Sequence, residues 1–213
     1  QQYNAQGKNI CGDFIGKVME KAIKMGESNA CMRRIVAAPT AGSCGVLPAV
    51  LLSYEEDFSA TQEDLVKALY VAAGIGTVIA ENASLAGASG GCQAEIGSAS
   101  AMAAGALASL QGGDAETIMH AAALALKNML GLVCDPVGGL VEYPCQNRNA
   151  AGVANALIAA EMSLSGIVQR IPLDEMIDVM YSVGKRLPVE LRETALGGCA
   201  TAPSVCDACL GCK

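Results

Sequence analysis

Apolar residues recur at helical spacing along most of the chain. Between residues 12 and 25, Phe14, Ile15, Val18, Met19, Ala22 and Met25 share one face, while Lys17, Glu20, Lys21 and Lys24 lie opposite, which predicts an amphipathic packing helix. A second helix is expected to open near Thr61, where Thr61 and Asp64 have capping-box spacing with Asp in place of the usual Glu or Gln. It should turn Leu65, Val66, Leu69 and Ala72 inward. Residues 93 to 110 are dominated by Ala, Gly and Ser, a composition with little surface polarity that permits close backbone approach and predicts a central, buried helix. Asp114 is a suitable cap for the next helix, with Met119, Ala122, Ala123, Leu126 and Met129 as its apolar stripe. Further helices are expected from about Asn149 to Leu164, and from Pro172, at a first-turn position, to about Lys185.

No strong period-two run rich in Val, Ile and Thr interrupts this pattern; Arg34–Ala38 and Gly138–Tyr143 are at most short extended pieces. The fold class is therefore all-α, a compact bundle of small-residue-rich helices. Three Gly-rich loops, Ala38–Pro48, Gly87–Cys92 and Cys134–Cys145, separate the helices and are where chemistry would be placed. There is no internal repeat and no low-complexity linker. Residues 1–198 read as one helical domain and residues 199–213, where periodicity fails, as a Cys-rich tail.

Composition sharpens this picture. The chain has 213 residues, enough for one sizeable core, and 52% of them are apolar, yet only 3% are aromatic and Trp is absent. The interior must be built from Ala, Val, Leu, Ile and Met, which favours closely packed helices. A net charge of −7 provides no basic footprint for nucleic acid or an anionic membrane. The most apolar windows, such as Val71–Ala80, are short, Gly-broken and closed by Glu81, and no N-terminal stretch joins a basic region to an apolar run. A soluble, cytoplasmic protein is expected. Ten cysteines in that reducing compartment point to metal binding in preference to a disulfide framework, although Cys11, Cys31 and Cys44 read equally well as small buried hydrophobes.

Three cysteines stand out by position. Gly90-Gly91-Cys92 ends a glycine loop before the Ala-rich helix, so that Cys92 would lie near a helix N-terminus, where free N–H groups and the helix dipole favour a thiolate. Cys134 opens the turn Cys134-Asp135-Pro136-Val137-Gly138-Gly139 after a helix, and Cys145 follows Pro144 eleven residues later. Three thiolates on a cubane leave one iron without a protein sulfur, free to act as a Lewis acid. Spacing alone also admits zinc, although structural zinc sites favour closely spaced Cys pairs, which these three lack.

The segments Arg34 to Gly45, Ser89-Gly90-Gly91-Cys92-Gln93-Ala94-Glu95-Ile96-Gly97, and Cys134 through Cys145 to Arg148-Asn149 closely resemble the α chain of iron–sulfur-dependent L-serine dehydratases. The resemblance runs from about residue 28 to Ala202. It implies a [4Fe–4S] cluster held by Cys92, Cys134 and Cys145, and elimination of water from L-serine to give pyruvate and ammonia. It places the Pro39–Ser43 loop, with Thr40, Ala41, Gly42 and Ser43, near the substrate, together with Ser89, Gly90 and Gly91. Hydroxyls and backbone N–H groups suit a carboxylate, and Asn147 and Arg148 are further candidates because a guanidinium matches a carboxylate in a bidentate manner. A surface salt bridge is the plain alternative for Arg148.

The family's α region usually has more chain upstream, including another Gly-rich turn, so the sequence reads as part of a longer α region. The resemblance further implies a β chain or β domain as partner and an oligomeric enzyme. Some relatives place a terminal cysteine that occupies the open iron, and Cys206, Cys209 and Cys212 are the candidates for that resting-state role here. Their C-x2-C-x2-C spacing lacks the fourth Cys and Pro of a ferredoxin run. His120, amid apolar helix residues, reads as a packing or surface residue, and no general base is evident. Lys67 and Lys127 lack a phosphate-cradling loop, so a pyridoxal enzyme is not expected. The rival readings are a hydro-lyase acting on another small hydroxy acid, and an electron-transfer or scaffold protein with four thiolate-ligated irons.

Overall fold

The computed structural model describes residues 1–140 and 143–208. Among them the chain forms ten α-helices: α1 (Gln2–Ala5), α2 (Gly12–Ala30), α3 (Val46–Phe58), α4 (Gln62–Asn82), α5 (Gly87–Gly90), α6 (Ser98–Leu110), α7 (Ala115–Asn128), α8 (Cys145–Leu164), α9 (Leu173–Arg186) and α10 (Pro203–Ala208). The described residues hold no strand, only one isolated parallel bridge between Cys134 and Arg192. The fold is all-α. None of the described helices is long and apolar enough to cross a membrane.

Helix α6 is the hub. Every residue from Ser98 to Ala108 is buried, and α3, α4, α7 and α8 pack around it. Its Ala, Ser and Gly side chains let the neighbouring backbones approach closely, so a core almost without aromatics can still pack densely. A polar seam crosses this hub. Asn155 donates to Ser100 Oγ at 2.7 Å and to the Ala125 carbonyl at 2.9 Å, while its own oxygen accepts from Asn128 at 2.8 Å. Each buried polar atom of Asn155 is thereby satisfied, and α6, α7 and α8 are fixed in register. Outside the hub, α2 lies along α3 and α8, and α9 closes over α5 and α7.

Thr61 and Asp64 form the expected capping box, and Asp114 caps α7 by accepting from the Thr117 N–H at 2.9 Å. Several details depart from the periodic reading. Helix α4 buries Leu65, Ala68, Ala72, Ile75 and Ile79, leaving Val66 (48% exposed) and Leu69 (46%) on its outer face; Met119 is exposed likewise. Helix α3 carries no amphipathic signature because Val46, Leu47, Ala49, Val50, Leu51, Ser53 and Tyr54 are buried around much of its circumference. Helix α8 begins at Cys145, four residues before the expected start, and Pro172 is the cap of α9. Residues 33–37 are irregular, and Val137–Gly139 form a tight turn with Gly138 left-handed. Cys44 is fully buried, whereas Cys11 and Cys31 are exposed, so the small-hydrophobe reading holds for Cys44 and fails for the other two.

Candidate functional site

The cysteines at 92, 134 and 145 are all buried free thiols, and each is set in place by backbone bonds. Gly91 adopts φ +77°, a conformation open to glycine, and the N–H just after Cys92, that of Gln93, donates to the Leu132 carbonyl at 2.9 Å. Cys92 then heads a π-helical turn, Gln93–Gly97, that leads into α6. Such turns widen the helix locally and recur at functional sites. The fully buried Gln93 side chain ties this turn to its neighbours, accepting from the Gly131 N–H at 2.9 Å and donating to the Met180 carbonyl at 2.9 Å.

Cys134 is clamped from the far end of the chain. Its N–H donates to the Leu191 carbonyl at 2.9 Å, and its carbonyl accepts from the Glu193 N–H at 2.7 Å. Cys145 opens α8, one turn before Asn149. Among the described residues no three His, Cys, Asp or Glu side chains are grouped tightly enough for one metal ion. The three thiols nevertheless share an electrostatic environment. A hydrogen bond with Cys134, aided by the Arg148 cation, pulls the Cys92 thiol below its ordinary range, and the same hydrogen bond pushes Cys134 up. Burial, reinforced by the charge of Cys92, pushes Cys145 up to about 12.

Arg148 is the counter-charge at this centre. Its guanidinium donates to Cys92 Sγ at 3.4 Å, to the Val133 carbonyl at 2.8 Å and to Asp135 Oδ1 at 2.7 Å. The ion pair with Asp135 is largely buried, unlike a surface salt bridge. Asp135 in turn accepts from the Cys199 N–H at 2.7 Å. Burial opposes its ionisation, but these hydrogen bonds hold its carboxyl below the ordinary value.

The Pro39–Ser43 loop approaches the same centre. The Thr40 hydroxyl donates to Glu95 Oε1 and lies 2.9 Å from Ser43 Oγ. Gly42 is pressed against the carboxylate: a Cβ there would stand 2.7 Å from Glu95 Oε1. Fully buried Asn149 anchors the loop from the other side. It donates to the Gly42 carbonyl at 2.7 Å and to the Cys145 carbonyl at 2.9 Å, and accepts from the Gly45 N–H at 2.9 Å. The loop, the Cys92 turn and the Cys145 helix are thereby joined.

The other sequence candidates occupy varied positions. Ala41 is exposed, whereas Gly42 and Ser43 are buried. Ser89 is exposed; Gly90 packs against Gly184 of α9, and Gly91 faces Leu187 and the Leu132 carbonyl. Asn147 is exposed at the start of α8. Cys206 belongs to α10, and Cys209 and Cys212 lie outside the described residues. His120 is half-buried on α7, where it accepts from the Gln169 N–H at 3.4 Å, in keeping with a packing role. Lys67 pairs with Glu63 and Lys127 with Gln169. A surface cleft of 390 Å³ lined by Asn4, Asp13, Lys17 and Lys21 shares no residue with this site.

Glu95, Asp135, Gln93 and Asn149 carry roles that the sequence reading left unassigned. One signal was available for Glu95: it is the sole charged residue between Cys92 and Asp114. Burial pushes its carboxyl above the ordinary range, against the opposing hydrogen bond from Thr40.

The donor set suits an iron–sulfur cluster better than a surface ion. Three buried thiols share one electrostatic environment, which already supplies a cation to offset thiolate charge. Comparison with known proteins places the chain among its relatives. The profile of the family described as "Serine dehydratase alpha chain" matches residues 1–200. The chain is 52% identical over 204 residues to the "Probable L-serine dehydratase, alpha chain" of Bacillus subtilis (strain 168), covering 96% of this chain and 68% of the relative. It is 49% identical to the "L-serine dehydratase, alpha chain" of Peptoniphilus asaccharolyticus, covering 93% and 68%. Against "L-serine dehydratase 1" of Escherichia coli (strain K12) the identity is 43%, over 84% of this chain but only 40% of that longer protein.

Proposed function

Because the chain belongs to the serine dehydratase alpha chain family, we propose that it is the cluster-bearing α component of an L-serine dehydratase, a carbon–nitrogen lyase. The observation that supports this reading is that buried Cys92, Cys134 and Cys145 share one electrostatic environment beside Arg148, with the Pro39–Ser43 loop tied to the Cys92 turn through Glu95. Cys92, Cys134 and Cys145 hold a [4Fe–4S] cluster. When bound, the cluster supplies a Lewis-acidic iron without a protein thiolate, which makes the β-hydroxyl of L-serine a better leaving group.

The chain's own residues bind, orient and insulate. Arg148 balances the thiolate charge and, being bonded to Asp135, Val133 and Cys92, is a framework cation; the substrate carboxylate falls instead to the Thr40–Ser43 loop. Since the Thr40 hydroxyl is bonded to Glu95 and to the Ser43 hydroxyl, backbone N–H groups of that loop are the donors for the carboxylate. Loss of the α-proton and of hydroxide, released as water, leaves an enamine. This tautomerises to an imine, which water hydrolyses to pyruvate and ammonia. The relatives named as α chains, and the much longer single-chain relative, support a β chain or β domain as partner. A cytoplasmic setting suits the free thiols.

The test is anaerobic reconstitution followed by paramagnetic resonance with and without L-serine, paired with pyruvate release in the presence of the β component. A serine-dependent change in the signal together with pyruvate formation is expected. A cluster indifferent to serine, with no pyruvate, refutes the reading.

A further inference from the structure

Glu95 touches both halves of the site. Its Oε1 accepts from Thr40, whose hydroxyl lies 2.9 Å from that of Ser43, so one carboxylate oxygen orders two loop side chains. Its Oε2 faces the Cys92 thiol at 4.0 Å. A side chain at Gly42 would have to displace this carboxylate: a Cβ would stand 2.9 Å from Glu95 Cδ and Oε2 as well as 2.7 Å from Oε1. The residue projects from the π turn, and no described Lys, Arg or His forms an ion pair with it. A carboxyl withdrawn from water in this way costs stability, and a stretch otherwise free of charge from Gln93 to Gly113 would fold more easily without it. Its cost therefore calls for a return at the site.

Of the two anchors of the loop, only Glu95 holds a loop side chain. Asn149 holds main-chain groups of Gly42 and Gly45 against α8. Glu95 holds the side chain of Thr40 and, through Thr40, Ser43, and its carboxylate is also drawn to the Gly42 backbone. Asn149 thus fixes where the loop runs, and Glu95 fixes how its ligand-facing residues are turned.

We propose that Glu95 is a positioning residue that locks the Thr40–Ser43 loop onto the Cys92 turn in the conformation that receives the substrate carboxylate. The identity of that substrate rests on the functional reading above; the contact itself does not. Glu95 acts through the loop, so its removal weakens substrate capture more than turnover.

The experiment uses the full enzyme with its β component and compares Glu95→Ala, Glu95→Gln and Thr40→Val. Iron and sulfide content, KM and kcat for L-serine, and hydrogen exchange of residues 38–45 without substrate are measured. For Glu95→Ala, KM rises at least tenfold, kcat changes less than threefold, exchange accelerates, and iron and sulfide are retained. Glu95→Gln keeps one acceptor for Thr40 and falls between Glu95→Ala and the parent. Thr40→Val raises KM in the parent and adds little on top of Glu95→Ala, because both remove the same link.

Unchanged KM and unchanged exchange in Glu95→Ala overturn the proposal, as does loss of iron and sulfide with unchanged exchange, which would make Glu95 a servant of the cluster alone. If Glu95→Ala does not fold, Gly42→Ala attacks the same contact from the loop side, and unaltered exchange and KM there are equally fatal. A parent enzyme that fails to turn over L-serine refutes the functional reading, while the exchange measurement still decides the role of Glu95.

Discussion

Replacing Asn149 with Ala removes three hydrogen bonds from a fully buried position: two donated to the Gly42 and Cys145 carbonyls and one accepted from the Gly45 N–H. The Cys145 carbonyl keeps a helical partner within α8, but the Gly42 carbonyl and Gly45 N–H, both in buried residues, are left without one. An orphaned buried group costs about 1–3 kcal/mol, so two of them place the loss at roughly 2–6 kcal/mol, with entry of a water pulling toward the lower end. Since small domains are stable by about 5–15 kcal/mol, this is a large fraction of the total. Denaturant unfolding of the cluster-free chain, followed by far-ultraviolet circular dichroism, reads the difference as a lowered midpoint at constant slope. The matched control is Asn147→Ala two residues earlier, an exposed site at which a change within about 0.5 kcal/mol is expected. A loss below about 1 kcal/mol for Asn149→Ala refutes the assignment of Asn149 as the main-chain anchor of the loop.

Cys92→Ser, Cys134→Ser and Cys145→Ser should each lose most of the iron and sulfide found on the anaerobically purified parent, whereas Cys31→Ser, at an exposed thiol, should keep it; equal retention in all four removes the ligand assignment. In Gly184→Ala, the new Cβ meets Gly90 Cα at 2.8 Å and the Gly90 carbonyl at 3.1 Å, and a backbone neighbour cannot swing aside. Overpacking of about 1–3 kcal/mol is expected in thermal or denaturant unfolding, and a parent-like midpoint would show that α9 tolerates displacement from the cluster loop. Asn155→Ala leaves Ser100, Asn128 and the Ala125 carbonyl without their shared partner. It should destabilise the chain without altering KM for L-serine, so a KM change with unchanged stability would contradict a purely architectural role. A Cys206/Cys209/Cys212 triple Ala variant should alter the resting cluster spectrum, and an identical spectrum removes the tail from the site.

The fold class could be read from the sequence because its cause is local. Helical apolar spacing, the Thr61 and Asp114 caps and the stretch of small residues after Cys92 each act within a few turns of chain. Helix α3 could not be read this way, since a helix buried on most sides loses the polar face that betrays it. Val66 and Leu69 mislead for the converse reason: their spacing matches an inward stripe, but small Ala68 and Ala72 take the contact with the hub and leave the larger side chains outside. At the site, the three cysteines were legible through their chemistry and their place beside glycine loops. Glu95 and Asn149 were not, because their partners lie 55 and 107 residues away at Thr40 and Gly42. Arg148 was legible as a charge, but its commitment to Asp135 and Cys92 depends on how the turn after α7 folds back.

The parallel bridge between Cys134 and Arg192, with Cys199 bonded to Asp135, also orders events in time. Protein synthesis proceeds at about 5–20 residues per second, so the 65 residues separating positions 134 and 199 take roughly 3–13 s to make. Once Cys145 has been made, the growing chain contains all three candidate ligands, while the segment that clamps Cys134, residues 191–193, does not yet exist. Iron and sulfide delivered before this segment has left the ribosome would meet thiols without their final geometry. A contact that closes late in synthesis thus completes the setting of Cys134 only after most of the chain has been made.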